Sequence, residues 1–166
     1  MADHVSSDNP AWALTERSDY PIYVVCVEHG GQMAGCVAGF VTQCSIEPVR
    51  FLVCVSKANH TYEVAKAGSA MSLHLLGAGQ HDVAVLFGHL TGDSSDKFEP
   101  IEWKPGQTGA PVLRRCAGWI EGEILEKQDV GDHVAFLLTP VSGGPGPDPG
   151  VLTLSQAGDI TAGHPA

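Results

Sequence analysis

The segment Gly35 to Tyr62, GCVAGFVTQCSIEPVRFLVCVSKANHTY, constrains this chain more than any other. It reads as strand, small-residue loop, strand, polar turn and helix start. The loop carries Gly39, Thr42, Gln43 and Ser45, and the turn carries Ser56, Lys57, Asn59, His60 and Thr61. One apolar run separates two donor-rich turns, so both can face a single flat, phosphate-bearing ligand. The plainer reading is a strand–turn–strand corner followed by a capped helix, since polar helix starts are common. Residue types alone leave both readings open.

The rest of the chain reads as many short strands. Tyr20 to Glu28 is apolar on both faces, as expected of a strand buried on both sides. His29 to Gln32 is a hairpin turn, from which the chain returns through Met33 to Val41. Pro48 ends a loop, and Arg50 to Val55 is a near-continuous apolar strand. Asn59 is placed to cap a short helix through Lys66, which Gly68 closes. Ser69 to Leu76 alternates, with Met71, Leu73 and Leu75 opposed to Ser72 and His74. Gln80 to Phe87 has the apolar stripe of a second helix, formed by Val83, Ala84, Leu86 and Phe87. Residues 91–112 are polar and rich in Gly and Pro, and read as a long functional loop.

Trp119 to Leu125 alternates again, and Glu121 and Glu123 are expected in solvent. Gly131-Asp132 precedes a strand from His133 to Val141. Residues 143–150, GGPGPDPG, read as a linker, with Val151 to Leu154 as a short edge strand and a mobile tail from residue 158. The expected organisation is an N-terminal arm over 1–17, a domain over 18–142, and linker, edge strand and tail over 143–166. In the arm, Trp12 and Leu14 are candidate anchors to a partner surface. About seven strands and two or three short helices predict a mainly β, antiparallel barrel with helices as plugs.

Bulk properties exclude several classes. At 166 residues the chain fits one domain with a sizeable core, and its 43% hydrophobic and 17% charged content is ordinary for a soluble protein. The net charge of −10 argues against nucleic acid as a partner, which needs clustered Lys and Arg. It leaves room for a local anion site. Cys26, Cys36, Cys44, Cys54 and Cys116 form no CxxC, and most lie in apolar runs, so reduced thiols and no structural metal are expected. His29, His74, His81 and His89 lack metal-ligand spacing and read as solvated. Cys44 has no base that could activate it as a nucleophile. No apolar stretch suits a bilayer and the start is polar, so a cytoplasmic protein without membrane association is expected. There is no GxGxxG after a strand, no P-loop and no GxSxG.

A further set of short motifs occurs in order. Gly35 is followed by Gln43-Cys44-Ser45 and Ile46-Glu47-Pro48, then by the polar turn and helix over 56–68. Leu73 to Phe87 gives strand, polar turn and helix. Gly109-Ala110-Pro111-Val112-Leu113 and Gly131-Asp132-His133 complete the set. Over roughly residues 18–141 this order and spacing resembles the flavin reductase family. The resemblance implies a split β-barrel of the Greek-key, FMN-binding type, and a homodimer. It implies FMN as cofactor, with FAD as an alternative, and NADH or NADPH as reductant.

The resemblance also assigns roles. Val37, Ala38 and Gly39 would let the isoalloxazine approach the backbone, and Thr42, Gln43, Cys44 and Ser45 would line it and the ribityl chain. Ser56, Lys57, Asn59, His60 and Thr61 would hold the phosphate. His133 matches a histidine on the nicotinamide side, although by residue type it reads equally as a hydrogen-bonded strand-start histidine. Many members carry Thr at the position of Val37 and Asn or Ser at that of Gly39, so here backbone amides must supply those donors. The implied activity is hydride transfer from NAD(P)H to flavin N5, with reduced flavin passed to a partner flavin-dependent monooxygenase. The alternative on the same barrel is an electron carrier that binds flavin or deazaflavin without nicotinamide turnover.

Overall fold

Apolar side chains on both faces of one strand set the architecture. In the computed structural model, which describes residues 6–89, 96–158 and 160, strand β1 (Tyr23–His29) points Val25 and Val27 to one core, and Val24 and Cys26 to another. The hairpin turn after it needs glycine, since Gly30 and Gly31 have φ of 61° and 82°. Strands β2 (Gln32–Ala38), β3 (Val41–Ile46) and β4 (Val49–Ser56) follow. Then come helix α2 (His60–Ala65), β5 (Ala70–Leu75) and helix α3 (His81–His89). Short β6 (Trp103–Pro105) and β7 (Pro111–Leu113) form a hairpin of their own. Long β8 (Gly118–Asp129) and β9 (His133–Pro145) close the order. Among the described residues of the arm there is one four-residue helix, α1 (Trp12–Thr15), with no buried residue, and residues 1–5 lie outside the described residues.

Seven strands make one sheet in the order β2-β1-β5-β8-β9-β4-β3, with every pair antiparallel. The sheet is rolled. Ala34, Cys36 and Ala38 of β2 share a core with Val53 and Val55 of β4, four strands away from β1 in the sheet order. Phe136 and Leu138 fill that core, and Val64 and Ala65 of α2 plug it. Burying a side chain such as Phe136 stabilises by roughly 1.5–3 kcal/mol. The second core lies on the outer face of β1. There α3 supplies Val83, Ala84 and Phe87, and Phe98, Leu113, Leu152, Ala157 and Ile160 complete the cover.

That second layer overturns four expectations. Residues 91–112 are not an open loop: Lys97 and Phe98 are buried and the β6–β7 hairpin packs against the barrel, while residues 91–95 of the expected loop lie outside the described residues. The Gly/Pro segment at 143–150 begins as strand, because β9 runs through Pro145. The described chain beyond it packs Leu152, Ala157 and Ile160 into the core, while residues 159 and 161–166 of the expected tail lie outside the described residues. His74 and Glu121 are fully buried rather than solvated, because the hairpin and its loop cover their face of β5 and β8. Glu123 is exposed as expected.

Both buried groups are satisfied. His74 Nδ1 lies 3.1 Å from the Val24 carbonyl, and Nε2 accepts from the Leu113 N–H at 3.0 Å. Those partners fix the neutral tautomer with the proton on Nδ1, and burial lowers its pKa to about 4. Glu121 accepts from the N–H groups of Gln107 and Thr108, each at 3.0 Å, and from the Thr108 hydroxyl at 2.7 Å. The loop comes so close that a Cβ on Gly106 would lie 1.9 Å from the Glu121 carboxylate.

Candidate functional site

The end of β4 and the start of β9 form one corner. Ser56 stands opposite His133 in the ladder. The next residue, Lys57, donates its N–H to the Asp132 carbonyl at 2.9 Å. Its ammonium pairs with Asp129 at 2.7 Å. Asp132 receives a hydrogen bond from His133 Nδ1 at 2.7 Å. The carboxyl of Asp129 is held below the usual carboxylate range first by Lys57, and that of Asp132 first by His133. The polar turn and the Gly-Asp-His turn, 74 residues apart at Lys57 and Gly131, thus meet.

The small-residue loop reaches the same corner. The Phe40 carbonyl accepts from the Cys54 N–H at 2.9 Å. The Phe40 ring meets His133 edge-on at 5.5 Å and lies 6.1 Å from Tyr20, yet it is 57% exposed. Gly39, beside it, is half-buried. The aromatic wall of Tyr20, Phe40 and His133 is missing from the sequence reading. An aromatic between Gly39 and Val41, where small residues are expected, is the signal that marks it. Asp129 and Asp132 are also missing, although Asp132 stands inside the Gly-Asp-His motif.

Other expected site residues are distributed differently. The Asn59 side chain accepts from the Thr61 N–H at 2.9 Å, which is the cap that starts α2. Thr61 itself is buried and its hydroxyl meets the Cys36 thiol, so it supports the turn from inside rather than facing a ligand. His60 Nε2 lies 3.3 Å from Gln32 Nε2. Ala38 is in the first core and Val37 packs on the second, so these two offer backbone and little else.

Thr42, Gln43 and Cys44 lie exposed on β3, with Ser45 half-buried. Their polar groups bond locally, Thr42 Oγ1 to the Gln43 carbonyl at 3.1 Å and Gln43 Nε2 to the Ser45 carbonyl at 3.0 Å. The register shifts between Gln43 and Ser45, so Cys44 is the extra residue of a bulge. Ser45 pairs with Arg50, six residues before Ser56. That is ~20 Å of strand, so the Gln-Cys-Ser triplet and the Lys57 turn mark two ends of an elongated site. Because β3 is a sheet edge, its outward N–H groups have no strand partner.

The corner suits a flavin nucleotide on this structure's own terms. Outward amides of β3 can meet the pyrimidine edge, Phe40 offers an exposed aromatic face, and Lys57 follows β4 at its corner with β9.

The chain matches the family model described as "Flavin reductase like domain" over residues 15–156. It is 31% identical over 142 residues to a ferric-chelate reductase (NAD(P)H) of Archaeoglobus fulgidus, covering 84% of each chain. It is 27% identical over 112 residues to the flavin-dependent monooxygenase reductase subunit HsaB of Mycobacterium tuberculosis, covering 68% of this chain and 58% of that one. Among solved structures, the NADH:FAD oxidoreductase SgcE6 of Streptomyces globisporus superposes with a TM-score of 0.81 at 24% identity, over 94% of both chains, a likeness of fold. The rolled antiparallel sheet and the family match agree, and the chain belongs to the flavin reductase like domain family.

Proposed function

We propose that this chain is an NAD(P)H-dependent flavin reductase, which binds FMN, or FAD, at the Ser56–His133 corner and supplies reduced flavin to a partner flavin-dependent monooxygenase. The observation that carries the reading is the family match across residues 15–156. The relatives named as a reductase using NAD(P)H and as a monooxygenase reductase subunit support the reductant and the partner.

When bound, the flavin accepts hydride at N5 from nicotinamide C4, and the protein contributes placement rather than acid–base chemistry. Lys57 and the Ser56–His60 turn hold the phosphate end. Residues 39–45 border the ring through backbone amides and the Phe40 face. Asp132 fixes His133 through Nδ1, which leaves Nε2 to hydrogen-bond the carboxamide of the nicotinamide. Asp129 holds Lys57 in place at the cost of opposing an anion.

A homodimer completes this reading. Ile46, 81% exposed, pairs with the exposed Val49 where β3 turns into β4. Apolar side chains on an unpaired edge strand are what a second copy would cover. Among the described residues no helix is long and apolar enough to cross a membrane. Use of NAD(P)H as reductant supports a cytoplasmic location for the enzyme.

The test is steady-state oxidation of NADH and NADPH, followed by absorbance with and without added FMN. Turnover above the free-flavin background is expected. Stoichiometric bound flavin without turnover would replace the reductase reading by that of a carrier.

A further inference from the structure

A second site stands apart from the corner just described. A cavity of about 460 Å³ opens between the β6–β7 hairpin, the start of β8 and the end of β9. Lys104, Arg114, Arg115 and Trp119 line it, with Glu102 as the single carboxylate on its wall. The whole chain has 9 Lys and Arg against 19 Asp and Glu. Three of those nine cations line this groove; Asp82 and Asp148 offset the charge of Arg115 beside it, so Lys104 and Arg114 are the two left to meet an anion there.

The cations are placed for a ligand. Arg115 is fixed by Asp82 at 2.8 Å. Lys104 holds its ammonium over the Trp119 ring, 5.8 Å from the centroid. Neither Lys104 nor Arg114 has a carboxylate partner among the described residues. An arginine fork matches the paired oxygens of phosphate or carboxylate, and Arg114 offers one while Arg115 shares its own with Asp82. The cavity is larger than a phosphate requires and falls in the range of small-molecule sites. Apolar Val112 and Leu113 and the half-buried indole supply walls for an organic body.

This groove is not the flavin corner. Pro145 borders the groove and His133 the corner, at opposite ends of the 13-residue strand β9. That is ~40 Å along the strand from the corner, and ~20 Å from Thr139, which meets Arg50 at the other end of the flavin site.

We propose that this groove binds a phosphorylated small molecule carrying a planar ring, of the nucleoside monophosphate class, with Arg114, Arg115 and Lys104 on the phosphate and Trp119 beside the ring. The site is independent of the flavin reading.

Isothermal titration of the full chain with AMP, and separately with inorganic phosphate, tests it. AMP is expected to bind at one site per chain and more tightly than phosphate. The double variant Lys104→Ala/Arg114→Ala is expected to lose at least ~10-fold in AMP affinity, as removal of charge-assisted contacts implies. Lys57→Ala is expected to leave AMP affinity unchanged. Both altered residues in the double variant are exposed, and circular dichroism confirms that it folds. No AMP binding, equal binding of phosphate and AMP, an unchanged double variant, or loss in Lys57→Ala would each overturn the proposal.

Discussion

Ser56 and His133 face each other across the β4–β9 ladder, and this pairing joins two distant polar turns into one corner. Lys57 then bridges to both sides of the second turn, through its N–H to Asp132 and its ammonium to Asp129. The consequences of that corner can be measured residue by residue.

Lys57→Ala should weaken FMN binding by roughly 1.5–3 kcal/mol, the range for hydrogen bonds to charged groups. Asp129→Asn should act in the opposite sense, because it frees Lys57 from an opposing carboxylate. The gain should be small, since exposed ion pairs are weak. Flavin fluorescence titration of both variants checks the pair. Equal affinity in Lys57→Ala would remove this residue from the site.

His133→Ala should raise the KM for the nicotinamide nucleotide more than that for flavin. The ring is oriented by Asp132 and flanked by Phe40, so its loss removes a hydrogen-bond partner and one wall. Steady-state kinetics with each substrate varied in turn decides it. A larger effect on flavin would reverse the assigned role.

FMN should protect Cys44 from thiol reagents. Cys44 is the exposed bulge residue of β3, whereas Cys26, Cys36 and Cys116 are buried and their thiols are pushed up by burial. In the native protein a disulfide reagent should titrate Cys44 first. Saturating FMN should slow that phase several-fold if the ring lies along residues 39–45. An unchanged rate would place the ring elsewhere.

Stability should fall with acid because of His74. Its pKa is about 4 in the folded protein against 6.5 for the free side chain, so the unfolded chain binds more protons between those values. The stabilisation is complete above pH 6.5 and is lost as pH falls towards 4. It amounts to roughly 3 kcal/mol over that window. Protonation would also set an Nε2–H against the Leu113 N–H. Urea denaturation as a function of pH should show this slope, and His74→Gln should flatten it.

Glu121→Ala should destabilise by roughly 3 kcal/mol, because three donors of residues 107 and 108 lose their acceptor in a covered site. Denaturation midpoints measure this.

The strands, the Asn59 cap and the Gly30-Gly31 turn are legible in the sequence because each rests on local chemistry, namely apolar runs, a side chain that caps, and positive φ. His74 and Glu121 are misread for one physical reason. Alternation predicts a solvated face only where nothing covers it, and here the β6–β7 hairpin covers both residues, so polar side chains become buried and fully bonded. The order of motifs likewise locates the corner, because Ser56–Thr61 and Gly131–His133 keep their spacing. It does not reveal that Thr61 turns inward, or that Lys57 is matched by Asp129. Those depend on the register between β4 and β9 and on the β8–β9 turn, which bring together residues over 70 positions apart.

The most direct test of the flavin corner is an anaerobic single turnover, mixing NADH or NADPH with protein and FMN and following loss of the flavin's visible absorbance. Bleaching should be far faster than with free FMN, and slower in Lys57→Ala at flavin concentrations below saturation. Bleaching no faster than in protein-free buffer, with either nucleotide, would contradict hydride transfer at this corner.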